Sequence, residues 1–199
     1  MKNKLLNLQH ASRCLLATVL LLCTASVMAQ TVFYVTQSTG TGTGTIYDIA
    51  SQAKAAANAG NNVQVLFETT SGTPCEIDLD YVPHISINAG SIIFDKSPNA
   101  IGVQGLIYTG PAPNNAVIWG LSISSGRTVE IRNLVFKDFG INRQAVYFNA
   151  NNGIVSNCLF DNNKYGISLG NADGMNINNC VFNIGTNQIG IYGESHAAD

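Results

Sequence analysis

A chain of 199 residues with 10 basic and 12 acidic side chains and 46% hydrophobic residues fits one domain with a buried core. Its formal charge of −2 and the lack of any basic stripe argue against nucleic acid as a partner. Five cysteines are too few for a disulfide scaffold, so stability has to come from packing.

Residues 1–29 stand apart from the rest. Lys2, Lys4 and Arg13 make a basic start, and Leu15 to Met28 is an apolar core closing on Val27-Met28-Ala29. This is the pattern of an export signal cut after Ala29. The apolar run is shorter than the ~20 residues of a membrane-spanning helix. A lipoprotein reading through Cys23 competes with it, although Leu22 is bulky where lipoprotein signals resemble one another in having a small residue. Without the leader, seven basic residues face twelve acidic ones, a charge of −5. No second long apolar run follows, so the mature part is expected to have no transmembrane segment. Cys75, Cys158 and Cys180 remain, an odd number, which leaves at least one thiol free or paired outside this chain.

Residues 30–62 read as a cap. Val32 to Val35 suits a strand, Ser38 to Thr45 is a Gly/Thr loop, and Ile46, Ile49, Ala50, Ala53 and Ala57 follow helical spacing. Thr45 with Asp48 resembles a capping box, and Gly60 supplies the stop. The strand Val63 to Glu68 opens the remainder, residues 63–199. Between 69 and 128, Ile85-Ser86-Ile87, Ile92-Ile93-Phe94, Ile118 to Ile123 and Val129 to Ile131 suit strands of larger, looped repeats, with Pro111 and Pro113 in a loop.

The last third repeats. Asn133-Leu134-Val135-Phe136 recurs as Asn157-Cys158-Leu159-Phe160 and as Asn179-Cys180-Val181-Phe182, at offsets of 24 and 22 residues. Ile131, Val155 and Ile177 sit two places before each Asn, and a further short strand follows near Val146, Ile167 and Ile191. Strand side chains alternate between faces, so the odd-numbered Ile177 and the even-numbered Cys180 and Phe182 share one face only if the chain bends at Asn179. Stacked repeats about 4.8 Å apart then place Phe136, Phe160 and Phe182 in one interior column and Leu134, Cys158 and Cys180 in another. Asn133, Asn157 and Asn179 form a third, with amides placed to bond the next repeat. The reading is an all-β, right-handed parallel β-helix with a short N-terminal capping helix. The end at Asp199, just after a complete strand, predicts a piece of a longer protein, because an uncovered last rung exposes a sheet edge.

Strand, Gly-rich loop, Ala-rich helix and first rung, in this order, resemble the N-terminal segments of bacterial surface and secreted β-helix proteins. These include polymorphic outer-membrane proteins and Bacteroidetes exoproteins, and the likeness spans residues 31 to 193. It implies a fold and an extracellular or outer-surface location in a Gram-negative bacterium rather than an activity.

Two clusters are candidate sites. Glu76, Asp78 and Asp80 alternate with Cys75, Ile77 and Leu79, so a strand puts three carboxylates on one outer face, neighbours about 6.5–7 Å apart. That spacing approaches an inverting glycosidase pair, and such oxygen ligands suit Ca²⁺; no other cofactor is expected. The plainer reading is a solvated strand face. Lys137 and Asp138 with Asp161, Asn162 and Lys164 occupy equivalent turns and suit a sugar-contacting ledge, with Tyr147 as a stacking ring; ordinary solubilising turns are the alternative. Glu130 and Arg132 pair along one strand, Trp119 is either a stacking ring or core filler, and His84 sits in a loop. The polygalacturonase signatures Asn-Thr-Asp, Asp-Asp, Gly-His-Gly and Arg-Ile-Lys are absent, as is the Arg-centred signature of pectate lyases. The leading function is therefore a non-catalytic, adhesive or polysaccharide-contacting surface module. The alternative is the N-terminal part of a polysaccharide lyase or glycoside hydrolase.

Overall fold

The structure is a computed structural model that describes residues 30–77, 83–110, 118–124, 127–140 and 143–193. The described residues form one helix and sixteen short strands. These are β1 (Thr31–Val35), α1 (Ile46–Asn58), β2 (Asn62–Phe67), β3 (Cys75–Ile77), β4 (His84–Ile85), β5 (Ser91–Lys96), β6 (Gly105–Tyr108), β7 (Ile118–Ile123) and β8 (Val129–Arg132). There follow β9 (Val135–Lys137), β10 (Arg143–Phe148), β11 (Ile154–Ser156), β12 (Leu159–Asp161), β13 (Tyr165–Leu169), β14 (Asn176–Asn178), β15 (Val181–Asn183) and β16 (Ile189–Gly193).

From β2 onward the strands fall in rotation into three sheets. The first has the order β1-β2-β5-β8-β11-β14, the second β3-β6-β9-β12-β15, and the third β4-β7-β10-β13-β16. Every pairing is parallel and in register, as in Ile131–Val155–Ile177 and Phe136–Phe160–Phe182. Three stacked parallel sheets with one helix are compatible with a parallel β-helix. The repeat length is not constant: the register advances 29 residues from Val63 to Ile92 and 37 from Ile92 to Val129, then settles at 24 and 22.

The bend between the first and second sheets is made where the spacing required it. Asn133, Asn157 and Asn179 have φ of 58°, 54° and 49°, the left-handed conformation that Asn tolerates best after Gly. The bond to the next repeat, however, comes from the main chain. Asn133 N–H donates to Ser156 O at 3.1 Å and Asn157 N–H to Asn178 O at 3.2 Å. The Asn133 amide instead reaches back to Asp95 Oδ1 at 2.7 Å.

Each bend turns the next apolar pair inward. The Phe136, Phe160 and Phe182 rings stack with centroids 5.1 and 4.9 Å apart and planes within 9°. Phe136 and Phe160 are buried, and Phe182, in the last described repeat, is half-buried. Small residues on the third sheet make room for the rings: a Cβ on Gly166 would lie 2.6 Å from Gly190 O and 3.0 Å from the Phe182 ring. Cys158 is buried below half-buried Cys180, both as free thiols that donate to backbone carbonyls. At the other end α1 lays Ile46, Ile49, Ala50, Ala53 and Ala57 on the core. Its cap differs from a capping box: Thr45 Oγ1 donates to Gly42 O, and Asp48 accepts from the Gly44 amide rather than that of Thr45.

Phe160→Ala removes the middle ring of the stack and leaves a cavity bounded by two rings that cannot close it. The expected cost is about 3–5 kcal/mol in urea unfolding; a loss under about 1 kcal/mol would mean the column carries no weight.

Candidate functional site

Glu76 is exposed on β3 between buried Cys75 and Ile77, the alternation expected there. Asp78 and Asp80 lie outside the described residues, and with them the trio and the Ca²⁺ reading. Among the described residues no three His, Cys, Asp or Glu side chains come together to hold a metal. Arg143 is buried and stacks 3.6 Å above the Tyr108 ring, and Tyr108 is the register partner of Ile77. Arg132 is held on the first sheet, Nε to Asp95 at 2.7 Å and Nη1 to Glu130 at 3.3 Å. The hydrogen bond to Asp95 is the main cause of its raised pKa. The pair read from sequence is thus the outer half of a network centred on Asp95. His84 opens β4 rather than lying in a loop, with Nδ1 3.0 Å from Ser122 Oγ and Nε2 2.9 Å from Ser124 Oγ.

The turns after β9 and β12 carry the second cluster. Lys137 and Asp161 are register partners at the strand ends. Asp138 and Asn162 follow them in the left-handed conformation, φ 63° and 54°, with Asp138 N–H donating to Asp161 O and Asn162 N–H to Asn183 O. The turn is clamped from inside by Asn163, a buried amide that spacing alone did not single out. Its Nδ2 donates to Phe136 O at 2.9 Å and its Oδ1 accepts from Phe139 N–H at 3.0 Å. An interior Asn spanning residues 136–139 fixes the direction in which Lys137 and Asp138 leave the core, and burial makes both bonds expensive to lose.

On the outside the side chains form a ladder. Asn162 Nδ2 donates to Asp138 Oδ1 and Gln188 Nε2 to Asn162 Oδ1, each at 2.7 Å, while Asn183 Nδ2 donates to Asp161 Oδ1 at 3.3 Å. Lys164 donates through Nζ to Asn187 O and lies 5.6 Å from the centroid of the Tyr165 ring. Asp138, Asn162, Lys164, Asn187 and Gln188 line an open cleft of about 470 Å³. The structure therefore gathers Asp138, Asn162 and Lys164 of the proposed ledge at one cleft. Tyr147 is on β10 in the third sheet, half-buried, apart from these turns. Tyr165 is the aromatic neighbour instead; its place directly after Lys164 is the one sequence signal that marks it.

No protein-family model, curated protein or solved structure matches this chain. Among the described residues no helix is long and apolar enough to cross a membrane.

Burial pushes the Cys75 and Cys158 thiols up to about 12 from an ordinary value of 9.0. The folded pKa is raised, so the stabilisation is fully present below pH 9 and is lost as pH rises from 9 towards 12, where only the unfolded thiol ionises. Going from pH 8 to pH 10 should cost about 1.4 kcal/mol per thiol. Urea unfolding of the protein and of the Cys75→Ala/Cys158→Ala variant at both values isolates this loss; an equal loss in both would contradict it. Native-state thiol labelling should reach Cys180 first.

Proposed function

We propose that this chain is an exported, right-handed parallel β-helix that acts without catalysis at the outer surface of a Gram-negative bacterium, contacting polysaccharide through the ledge at residues 137–138 and 161–164. The observation that carries the reading is the ladder Asp138–Asn162–Gln188 beside Lys164, an array of amide, carboxylate and ammonium groups opening on one cleft. Sugar hydroxyls both donate and accept, and amides and carboxylates stacked one repeat apart offer matching partners at a fixed spacing. The in-register backbone beneath keeps the array rigid, which lowers the entropy lost on binding. Export is supported by residues 1–29, and the right-handed coil by the rotation of strands through three parallel sheets, since parallel crossovers are overwhelmingly right-handed.

Affinity electrophoresis and calorimetry of the purified protein against plant, algal and bacterial polysaccharides test this reading. Binding is expected, weakened about five- to tenfold in the Asn162→Ala/Lys164→Ala variant through loss of two polar contacts. Pectin, alginate and chondroitin should remain uncleaved with or without Ca²⁺. Turnover abolished by Asp78→Asn would transfer the function to the Glu76, Asp78 and Asp80 carboxylates.

A further inference from the structure

The third sheet carries an outer face, and the polysaccharide reading above draws on this sheet only for Tyr147 and Trp119. His84, Ser122, Tyr147, Ser168 and Tyr192 form one register file across its five strands. His84 is exposed and bonds to Ser122, which sets this file on the outside, while Ile85, Ile123 and Phe148, next in the chain, are fully buried. The bulky rings of Tyr147 and Tyr192 are thus separated by the small side chain of Ser168. Tyr165, on the strand between them, leans onto Tyr192 with ring centroids 5.1 Å apart and planes at 45°. Neither the Tyr165 nor the Tyr192 hydroxyl has a partner among the described residues, and both rings are half-buried. Gln144 Oε1 and Ser168 Oγ, flanked by these tyrosines, are buried with no partner among the described residues.

The charge on this face is sparse. β4, β7, β10, β13 and β16 contain no Asp, Glu or Lys, and their one Arg, Arg143, is buried over Tyr108. At the edge towards the cleft, Lys164 is committed to Asn187 O and lies over Tyr165.

We infer that this outer face is an aromatic strip that stacks the pyranose rings of a neutral polysaccharide, with Tyr165 and Tyr192 as its platform and Tyr147 extending it. The inference rests on the polysaccharide reading of the adjoining ledge and names the ligand class of the combined site. A pyranose has an apolar C–H face and a rim of hydroxyls. The tyrosines match the first, and the amide ladder reached across Lys164 matches the second. A uronate chain would need guanidinium or ammonium groups directed at its carboxylates. The strip offers none, and the carboxylate of Asp138 lines the cleft.

The test is calorimetric titration of the purified protein with soluble neutral glycans (a mixed-linkage glucan, a glucomannan and a galactan) and with polygalacturonate and alginate. Tyr165→Ala and Tyr192→Ala are compared with Tyr165→Phe and Tyr192→Phe, and with the cleft variant Asn162→Ala. The expected result is binding of at least one neutral glycan, weakened roughly tenfold by each Ala variant and retained by each Phe variant. In the unsubstituted protein the ring-proton NMR signals of Tyr165 and Tyr192 should shift on titration, a readout that no folding defect affects. Glycan binding that Asn162→Ala weakens while the Ala variants and both ring signals stay unchanged would overturn the strip and leave the ledge standing. Preference for the uronates over every neutral glycan would overturn the assignment of ligand class. Failure of every glycan to bind would overturn strip and ledge together.

Discussion

The last three repeats depend on a backbone constraint, the left-handed Asn at the corner between the first and second sheets. A strand places its side chains on alternate faces, so a chain that continued straight from Ile131 would send Leu134 and Phe136 to the solvent. One residue at positive φ changes the parity. Asn133, Asn157 and Asn179 each supply it, and the same conformation points the main-chain amides of Asn133 and Asn157 at the carbonyl one repeat ahead. The corner thus performs two tasks at once: it closes a backbone hydrogen bond and delivers two apolar residues to the core. Left-handed Asp138 and Asn162 do the same on leaving the second sheet, and there the side chains that face outwards become the ledge.

Interior and surface are coupled through this geometry. Because the corners recur at one place in each of the last three repeats, residues of one kind accumulate in files there: aromatic rings in the second sheet, small residues opposite them in the third, and polar amides along the turns. A file of rings packs against a file of residues with little or no side chain: a Cβ on Gly190 would lie 3.1 Å from the Phe182 ring, and one on Gly166 would lie 2.6 Å from Gly190 O. Outside the core the same accumulation brings Asp138 and Asn162 to equivalent turns one repeat apart, where their side chains join in the ladder. Side-chain files of this sort arise from stacking, with no loop needed to assemble them.

What was legible in the sequence is what strict repetition records. The Asn-x-x-Phe units at 133, 157 and 179 fixed the bends, the ring column and the cysteine column, because any register other than the observed one would break three alignments at once. The cap was legible in outline, from the helical spacing between Ile46 and Ala57, but its hydrogen bonds were not, since Asp48 reaches Gly44 only through the shape of the preceding loop. Repeats of 29 and 37 residues gave no alignment, so the placement of His84 on a strand and of Asp95 beneath Arg132 needed long-range pairing to be seen. The ledge was half legible: turn residues at equal offsets pointed to Asp138, Asn162 and Lys164. Asn163 carried no signal of its own in the sequence, and its burial with two backbone hydrogen bonds shows it as the clamp. Tyr165 and Tyr192 escaped notice because their contact is diagonal, between positions that no single repeat offset aligns.

The corner is tested most directly by the stability of two substitutions at Asn157, measured by urea unfolding. Asn157→Gly keeps access to positive φ and should stay within about 0.5 kcal/mol of the unsubstituted protein. Asn157→Val forces a β-branched residue into the left-handed region and should cost about 2 kcal/mol or more. Equal stability of the Gly and Val variants would mean that position 157 is not a left-handed corner, and the register of all three sheets would have to be drawn again.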